Sequence, residues 1–202
     1  EKIAQETLVL FFSDNGGPVQ SGATNTPLRG AKGTCFEGGI RVPAVMRFPG
    51  LQPGSVSRQV MTMMDYFPTL TAAAGVPTGP HQPFDGENLW PVISAGKTVP
   101  RGDIFFSVQS GNTADNYAAL TPEWKLVRTL PTKGEPKNLL FRIEEDPNET
   151  TDLSAQQPQV VATLAAKIDA WRKLHPPDGV RDVSAPPGYK APPQWAEAAS
   201  EN

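Results

Sequence analysis

The stretch Thr7–Gly17, TLVLFFSDNGG, decides the fold of this chain, because an apolar run ends abruptly in a serine, an acid, an amide and two glycines. A run without polar alternation is typical of a strand covered on both faces, as in a parallel α/β sheet. Ligands of such sheets bind beyond the carboxyl ends of the strands, where Asp14 and Asn15 fall. Since Asp, Asn and Gly also form turns, the residues alone leave a binding loop and a plain turn open.

Length and composition indicate a folded domain without the signature of a nucleic-acid-binding protein. The chain has 202 residues, enough to bury a core. Its 18 Lys and Arg residues face 21 Asp and Glu residues, so the basic footprint of a nucleic-acid binder is missing. No apolar run in the sequence approaches the length of a membrane span. We therefore expect no nucleic-acid partner and no membrane span.

The first segment that the pattern defines is residues 1–90. It combines the opening strand with a second apolar piece at Val42–Phe48 and with several Gly-rich loops. A helix is predicted around Asp65–Ala74, with an acidic residue at its start and Gly75 as its stop. We interpret this segment as the C-terminal part of an α/β catalytic domain.

Two further segments follow, residues 91–175 and residues 176–202. The first holds short strand-like runs separated by turn residues, and then apolar residues at helical spacing over about Pro158–His175. This pattern predicts a small antiparallel subdomain in which a meander is covered by one helix. The second carries three Pro-Pro pairs and little apolar periodicity, which predicts an extended tail.

A block of sequence at Asn25–Gly50, NTPLRGAKGTCFEGGIRVPAVMRFPG, resembles the sulfatase family of the alkaline-phosphatase-like superfamily. The matching features are DNG at a strand end, the LRGxKGTxxEGGIRVPA pattern and the Pro-Gly after an apolar strand. Further on, DYFPTLTAAAGV, FDGENLWPVISAG and LFRIEEDPNETTDL resemble the family's next helix, loop and late strand. The resemblance runs over about Thr7–Leu153. It implies an α/β fold, the C-terminal part of an arylsulfatase-like enzyme with a small antiparallel sheet plus helix subdomain.

The resemblance assigns roles to three side chains. Asp14 and Asn15 match two ligands of the family's active-site calcium, and both are hard oxygen donors that suit Ca²⁺, or Mg²⁺ as the alternative ion. Lys32 matches the lysine that contacts the sulfate group, so it is the expected substrate-binding and catalytic residue of this chain. An ammonium is a compact point charge that can follow a tetrahedral oxyanion as it reacts.

Other residues of the block are expected to be scaffolding. We predict that Arg29 holds its loop with Glu37 as an ion-pair partner, and that Arg41 is structural. Gly38 and Gly39 indicate a close backbone approach or a positive φ.

The nucleophile of the resembled family is a cysteine or serine converted to formylglycine in a C/S-x-P-x-R setting. Cys35 precedes Phe-Glu-Gly-Gly and does not match, so a small buried thiol is the preferred interpretation. Ser184 has the proline, but Gly188 stands where arginine is required. Because Glu1 is not an initiator methionine, we expect formylglycine and the remaining metal ligands in an upstream portion of the same enzyme.

The implied function is the hydrolysis of sulfate esters by a longer enzyme, with this chain inactive on its own. The alternatives are a phosphoester or phosphonate-ester hydrolase of the same superfamily, and a non-catalytic anion- or metal-binding module. His81 and His175 suit structural or exposed positions better than catalysis. The resemblance favours a periplasmic, secreted or lysosomal location over the cytoplasm, and self-association into a homo-oligomer stays open.

Overall fold

The computed structural model of the protein describes four segments of the chain, residues 3–77, 83–108, 114–131 and 133–174. One compact unit ends at Ile168, and a second begins at Asp169. The predicted domain limits at residues 90 and 175 stay predictions. The predicted tail, His81 and His175 lie outside the described residues.

The described residues form six strands, four α-helices and one short 3-10 turn. In chain order the elements are β1 (Val9–Phe12), the 3-10 turn (Val19–Ser21), α1 (Glu37–Ile40), β2 (Ala44–Arg47), α2 (Met63–Ala73), α3 (Trp90–Ala95), β3 (Ile104–Val108), β4 (Ala114–Leu120), β5 (Trp124–Pro131), β6 (Lys137–Arg142) and α4 (Pro158–Arg172). This mixture confirms the predicted α/β class with a small antiparallel sheet plus a helix. None of the described helices has the length and hydrophobicity that crossing a bilayer needs.

The opening strand β1 pairs with β2, and the pairing is antiparallel, with Val9 opposite Arg47. Val9 is 50% exposed and Phe11 is 68% exposed. The expectation of a parallel neighbour is therefore wrong for the pair β1 and β2, and the cover of β1 on both faces stays a prediction. An apolar run indicates that the faces of a strand are to be buried, but it does not indicate the direction of the neighbouring strand.

Strands β3 to β6 form a four-stranded antiparallel meander, as the sequence predicts. Both faces of this sheet are covered, because Leu140 and Phe141 are neighbours on β6 that point to opposite faces and each is fully buried, as is Leu126 opposite Leu140. Helix α4 begins at Pro158 as predicted and ends at Arg172. The part of α4 up to Ile168 lies on the sheet, because Ile168 is buried and Arg128 Nη1 donates a hydrogen bond to the Ala165 carbonyl at 3.2 Å.

Helix α2 begins two residues before the predicted start because Asp65 occupies its third position. The Asp65 carboxylate accepts the backbone N–H of Thr62 at 2.5 Å, and the two residues form a capping box. Arg101 pairs with the same carboxylate through both terminal nitrogens, at 2.8 and 2.9 Å. Asp65 is fully buried. Its carboxylate binds both the start of α2 and Arg101, which lies in the segment that leads into β3.

Candidate functional site

The loop that follows β1 packs tightly on α1 through Gly16. The Gly16 N–H donates to the Gly39 carbonyl at 2.9 Å. A Cβ at residue 16 would lie only 1.8 Å from the Gly38 oxygen. The two backbones can touch in this way only if residue 16 is glycine, so α1 fixes the path of the chain directly after Asp14 and Asn15.

A second loop joins the first at Gly17. The Asn25 side chain accepts the Gly17 N–H at 2.8 Å and donates to the Gly17 carbonyl at 2.9 Å. The Lys32 N–H donates to the same carbonyl at 3.3 Å. The loop that carries Asp14 and Asn15 and the loop that carries Lys32 therefore meet at Gly17. Asn25 opens the family-like block, but its sequence context alone does not indicate this bridging role.

Helix α1 also holds the second loop. The Gly38 N–H donates to the Arg29 carbonyl at 2.6 Å. A Cβ at Gly39 would lie 2.2 Å from the Thr34 carbonyl oxygen, and one at Gly38 would lie 2.5 Å from the Gly30 oxygen. The predicted close backbone approach at Gly38 and Gly39 is confirmed, and neither glycine has a positive φ.

The three predicted site residues keep their side chains at or near the surface. Asp14 and Lys32 are exposed, and Asn15 is half-buried. Within the described segments, no residue donates a hydrogen bond to the Asp14 carboxylate and no acid pairs with the Lys32 ammonium. The structure brings their loops together, and their metal and sulfate roles stay predictions.

Asp14 and Asn15 offer chemistry that suits part of a calcium site. They place a carboxylate and an amide carbonyl side by side, and both are hard oxygen donors. Calcium takes about six to eight oxygen ligands. The described residues contain no group of three or more His, Cys, Asp and Glu side chains that could hold a metal. These two residues fit the ion as one part of its ligand set.

A buried ionic cluster lies behind the two loops. Lys125, from β5, is fully buried, and its Nζ lies 2.7 Å from Glu37 Oε1 on α1. The same ammonium lies 2.8 Å from Glu149 Oε1, outside hydrogen-bond geometry. Glu149 Oε2 accepts the Glu37 N–H at 2.7 Å. The cluster therefore links the small sheet and the turn after β6 to α1, which contacts both site loops.

Burial raises the pKa of Glu149 above its ordinary value, and this effect outweighs the attraction of Lys125. The sequence places Glu149 in LFRIEEDPNETTDL, the stretch that resembles the family's late strand, and does not indicate a buried cluster there. A lysine between Trp124 and the apolar pair Leu126 and Val127, inside a strand, is the signal that could have indicated it.

Arg29 is structural as predicted, but its predicted partner is wrong. Its Nη1 donates to the Glu149 carbonyl at 3.0 Å. Its guanidinium carbon lies 4.4 Å from the centre of the Phe36 ring. Glu37 pairs instead with Lys125 and, at 3.5 Å, with the half-exposed Arg41. Lys125 is the partner because β5 brings its ammonium into the dry space beside α1.

Cys35 is a buried thiol, as expected. It packs in the core with Val127 and Phe141, and it is 1% exposed. Its Sγ donates to the Asn116 carbonyl at 3.4 Å. Burial raises the pKa of this thiol to about 11, so it is not a nucleophile at neutral pH.

Solved structures define the class of protein to which this fold belongs. The structure of Ps i-CgsB superimposes with a TM-score of 0.71 at 29% sequence identity, covering 83% of this chain and 37% of that one. The phosphonate monoester hydrolase of Agrobacterium radiobacter superimposes with a TM-score of 0.55 at 25% identity, covering 84% and 36%. The fold is that of the alkaline-phosphatase-like hydrolases.

Sequence comparison then gives the family. The model described as Sulfatase matches residues 1–76. Arylsulfatase J of Mus musculus is 30% identical over 85% of this chain and 36% of its own length. A sulfatase of Formosa agariphila is 31% identical over 88% of this chain and 35% of its own length. The chain belongs to the sulfatase family, and it spans about a third of the length of these curated relatives.

Proposed function

We propose that this chain is the C-terminal portion of a sulfatase that hydrolyses sulfate esters. In this proposal Asp14 and Asn15 are calcium ligands, and Lys32 binds the sulfate group. The observation that carries it is the junction at Gly17, where the Lys32 N–H and the Asn25 side chain bind the peptide that follows Asp14 and Asn15. Oxygen donors and an ammonium without a described acidic partner therefore lie on adjoining loops.

The proposed chemistry is electrostatic. Asp14 and Asn15 present a carboxylate and a carbonyl to one side of the site, and Lys32 presents three N–H donors to the sulfate oxygens. Calcium, when bound, would neutralise negative charge that develops on those oxygens. Lys32 would act in the same sense, because a preorganised cation stabilises the transition state more than it does the ground state.

The remaining machinery is proposed to come from the rest of the enzyme. The 202 residues contain no C/S-x-P-x-R motif, so formylglycine would belong to polypeptide outside them. The apolar face of β1 and β2, with Phe11 directly opposite Val45, is exposed. A two-stranded ribbon is marginally stable alone, and we propose that the rest of the sulfatase covers it. The chain alone would then be inactive. A periplasmic, secreted or lysosomal location is part of the same proposal.

The alternative reaction is the hydrolysis of phosphoesters or phosphonate esters, which the likeness to the Agrobacterium phosphonate monoester hydrolase supports at a lower TM-score.

Ps i-CgsB has also been solved in complex with a neocarrahexaose, and that structure is 30% identical to this chain. A sulfated saccharide is therefore the natural substrate class that we propose, and an aryl sulfate serves as the assay substrate.

The test uses the protein produced from the complete coding sequence. Lys32→Ala should lower kcat/KM for an aryl sulfate by about 10²- to 10³-fold, the usual loss for one preorganised oxyanion partner. Asp14→Ala should lower both activity and bound calcium, because it removes an anionic ligand. Lys97→Ala, at another exposed lysine, is the matched control and should be unchanged.

Two results would contradict the proposal. One is wild-type turnover of the aryl sulfate by Lys32→Ala together with full calcium content in Asp14→Ala. The other is a preference of the wild-type protein for an aryl phosphonate monoester over the sulfate, which would establish the alternative reaction. Calcium or sulfate binding without hydrolysis in the complete protein would favour the non-catalytic module.

A further inference from the structure

We infer that Glu149 is a positioning residue, which holds α1 in place and, through α1, both loops of the candidate site. The inference rests on the proposed function, because it concerns how that site is kept in shape. Glu149 lies in the turn after β6, far along the chain from either loop. It touches neither Asp14 nor Lys32 among the described contacts, and it acts through Glu37 and Arg29.

The first link is between Glu149 and α1. The carboxylate is fully buried, and its Oε2 accepts the Glu37 N–H at 2.7 Å. Lys125 lies between the two acids, at 2.7 Å from Glu37 Oε1 and 2.8 Å from Glu149 Oε1. Charges in a dry environment interact more strongly than in water, so this arrangement resists displacement. The position of Glu37 is thereby fixed at both its backbone and its side chain.

The second link is between α1 and the loops. Gly39, two residues after Glu37, accepts the Gly16 N–H at 2.9 Å. Gly38 donates to the Arg29 carbonyl at 2.6 Å. These contacts are made by backbone atoms, and neither glycine has a side chain that could adjust if α1 moved. A shift of α1 is therefore transmitted to both loops.

A third link reaches the second loop directly. The Glu149 carbonyl accepts the Arg29 Nη1 at 3.0 Å. Glu149 has φ of +55°, a conformation that few residues other than glycine adopt. The Asp146 carboxylate holds this turn by accepting the N–H groups of Thr150 and Thr151, at 2.9 and 2.8 Å. The turn thus aims the side chain and the carbonyl of one residue at two parts of the site scaffold.

A buried ion pair is weak evidence for stability, because desolvation offsets most of the Coulombic gain. The positioning role of Glu149 rests on two hydrogen bonds, because its Oε2 accepts the Glu37 N–H of α1 and its carbonyl accepts Arg29 Nη1 of the second loop. The experiment must therefore separate the hydrogen bond to Glu37 from the negative charge.

Two variants of the complete protein make this separation. Glu149→Ala and Glu149→Gln both remove the charge beside Lys125, but only the glutamine keeps an acceptor for the Glu37 N–H. Hydrogen exchange is measured at the Gly16 and Gly38 amides, with the buried Leu126 as the reference for global stability. Calcium affinity is measured by calorimetry. Turnover is measured separately, as kcat/KM with an aryl sulfate. Glu145→Ala, on a 69% exposed side chain nearby, is the control.

For Glu149→Ala we expect exchange at Gly16 and Gly38 to accelerate at least about tenfold beyond any change at Leu126. Calcium affinity and kcat/KM should fall by about 10- to 100-fold, as for residues that support metal ligands from behind. Glu149→Gln should stay within about threefold of wild type in all three measurements. If Glu149→Ala does not fold, Glu149→Asp replaces it. This variant keeps the charge, shortens the reach and should accelerate exchange in the same way.

Equal behaviour of the alanine and glutamine variants would overturn the inference, as would unchanged local exchange at Gly16 and Gly38 in a folded Glu149→Ala. Failure of the proposed function appears differently. In that case the wild-type protein neither binds calcium nor hydrolyses the ester, while the exchange data still decide whether Glu149 positions the loops.

Discussion

Gly16→Ala should disturb the candidate site through the backbone contact between its first loop and α1. Residue 16 follows Asp14 and Asn15, and its backbone lies against α1. The added methyl group would meet backbone atoms, at 1.8 Å from the Gly38 oxygen, 2.7 Å from the Gly38 carbon and 3.0 Å from the Gly39 Cα. Backbone atoms cannot rotate away, so the loop and the helix must separate.

The size of the effect follows from these distances. Ordinary contact begins at 3.4 Å, so the two backbones must separate by about 1.6 Å to relieve the closest clash. Overpacking of this kind costs about 1–3 kcal/mol, and weakening the Gly16–Gly39 hydrogen bond adds about 1 kcal/mol. The free energy of unfolding should therefore fall by about 2–4 kcal/mol. Because a displacement of about 1 Å can cost 10²-fold in rate, activity should fall further than stability indicates.

The assay is urea unfolding of the complete protein, followed by calcium titration of the folded variant. Gly102→Ala is the matched control, because a Cβ there meets nothing within 4 Å and its φ is not positive. It should be neutral or stabilising by about 0.4–1 kcal/mol. If Gly16→Ala matches Gly102→Ala in both stability and calcium affinity, the loop does not depend on its contact with α1.

Three further predictions concern buried groups. Cys35, with its pKa raised by burial to about 11, should react with a thiol reagent at pH 8 only after unfolding, as measured by mass spectrometry. Arg101→Ala should lower the free energy of unfolding by about 3–5 kcal/mol because it leaves Asp65 buried and unpaired, whereas Lys167→Ala, in a half-exposed pair, should cost about 0–1 kcal/mol. Burial raises the pKa of Glu149 above 4.5, so the folded state holds that proton more tightly than the unfolded state. Its contribution to stability should fall as pH rises from about 4.5 through the raised pKa, and Glu149→Gln should remove that slope in urea unfolding across this range.

The elements with a regular pattern could be predicted from sequence. The meander follows from β-prone runs separated by turn residues, as in Trp124–Pro131. Helix α4 follows from apolar residues at helical spacing, and its buried Leu164 and Ile168 belong to that stripe. Gly38 and Gly39 indicated a close approach because adjacent glycines offer no side chain to separate two backbones.

The connections between elements could not be predicted. Lys125 and Glu37 are 88 residues apart, and Glu149 and Glu37 are 112 residues apart, so no local pattern relates them. Charged residues are mostly exposed, and each of these reads as a surface position by itself. The predicted direction of the strand beside β1 is wrong for a related reason. Hydrophobic periodicity indicates which faces of a strand are buried, but it does not indicate which strand pairs with it or in which direction.

The residues that hold the two loops in place differ from the residues proposed to bind calcium and sulfate. Substitutions of the second group can therefore test function without changing stability. Gly16, Gly17 and Asn25 satisfy the backbone of both loops, so the fold within the described segments draws nothing from the side chains of Asp14 and Lys32. Replacing either one should leave the free energy of unfolding within the usual range of surface substitutions, about ±0.5 kcal/mol. A loss of calcium or of turnover in those two variants would then be attributable to the site itself.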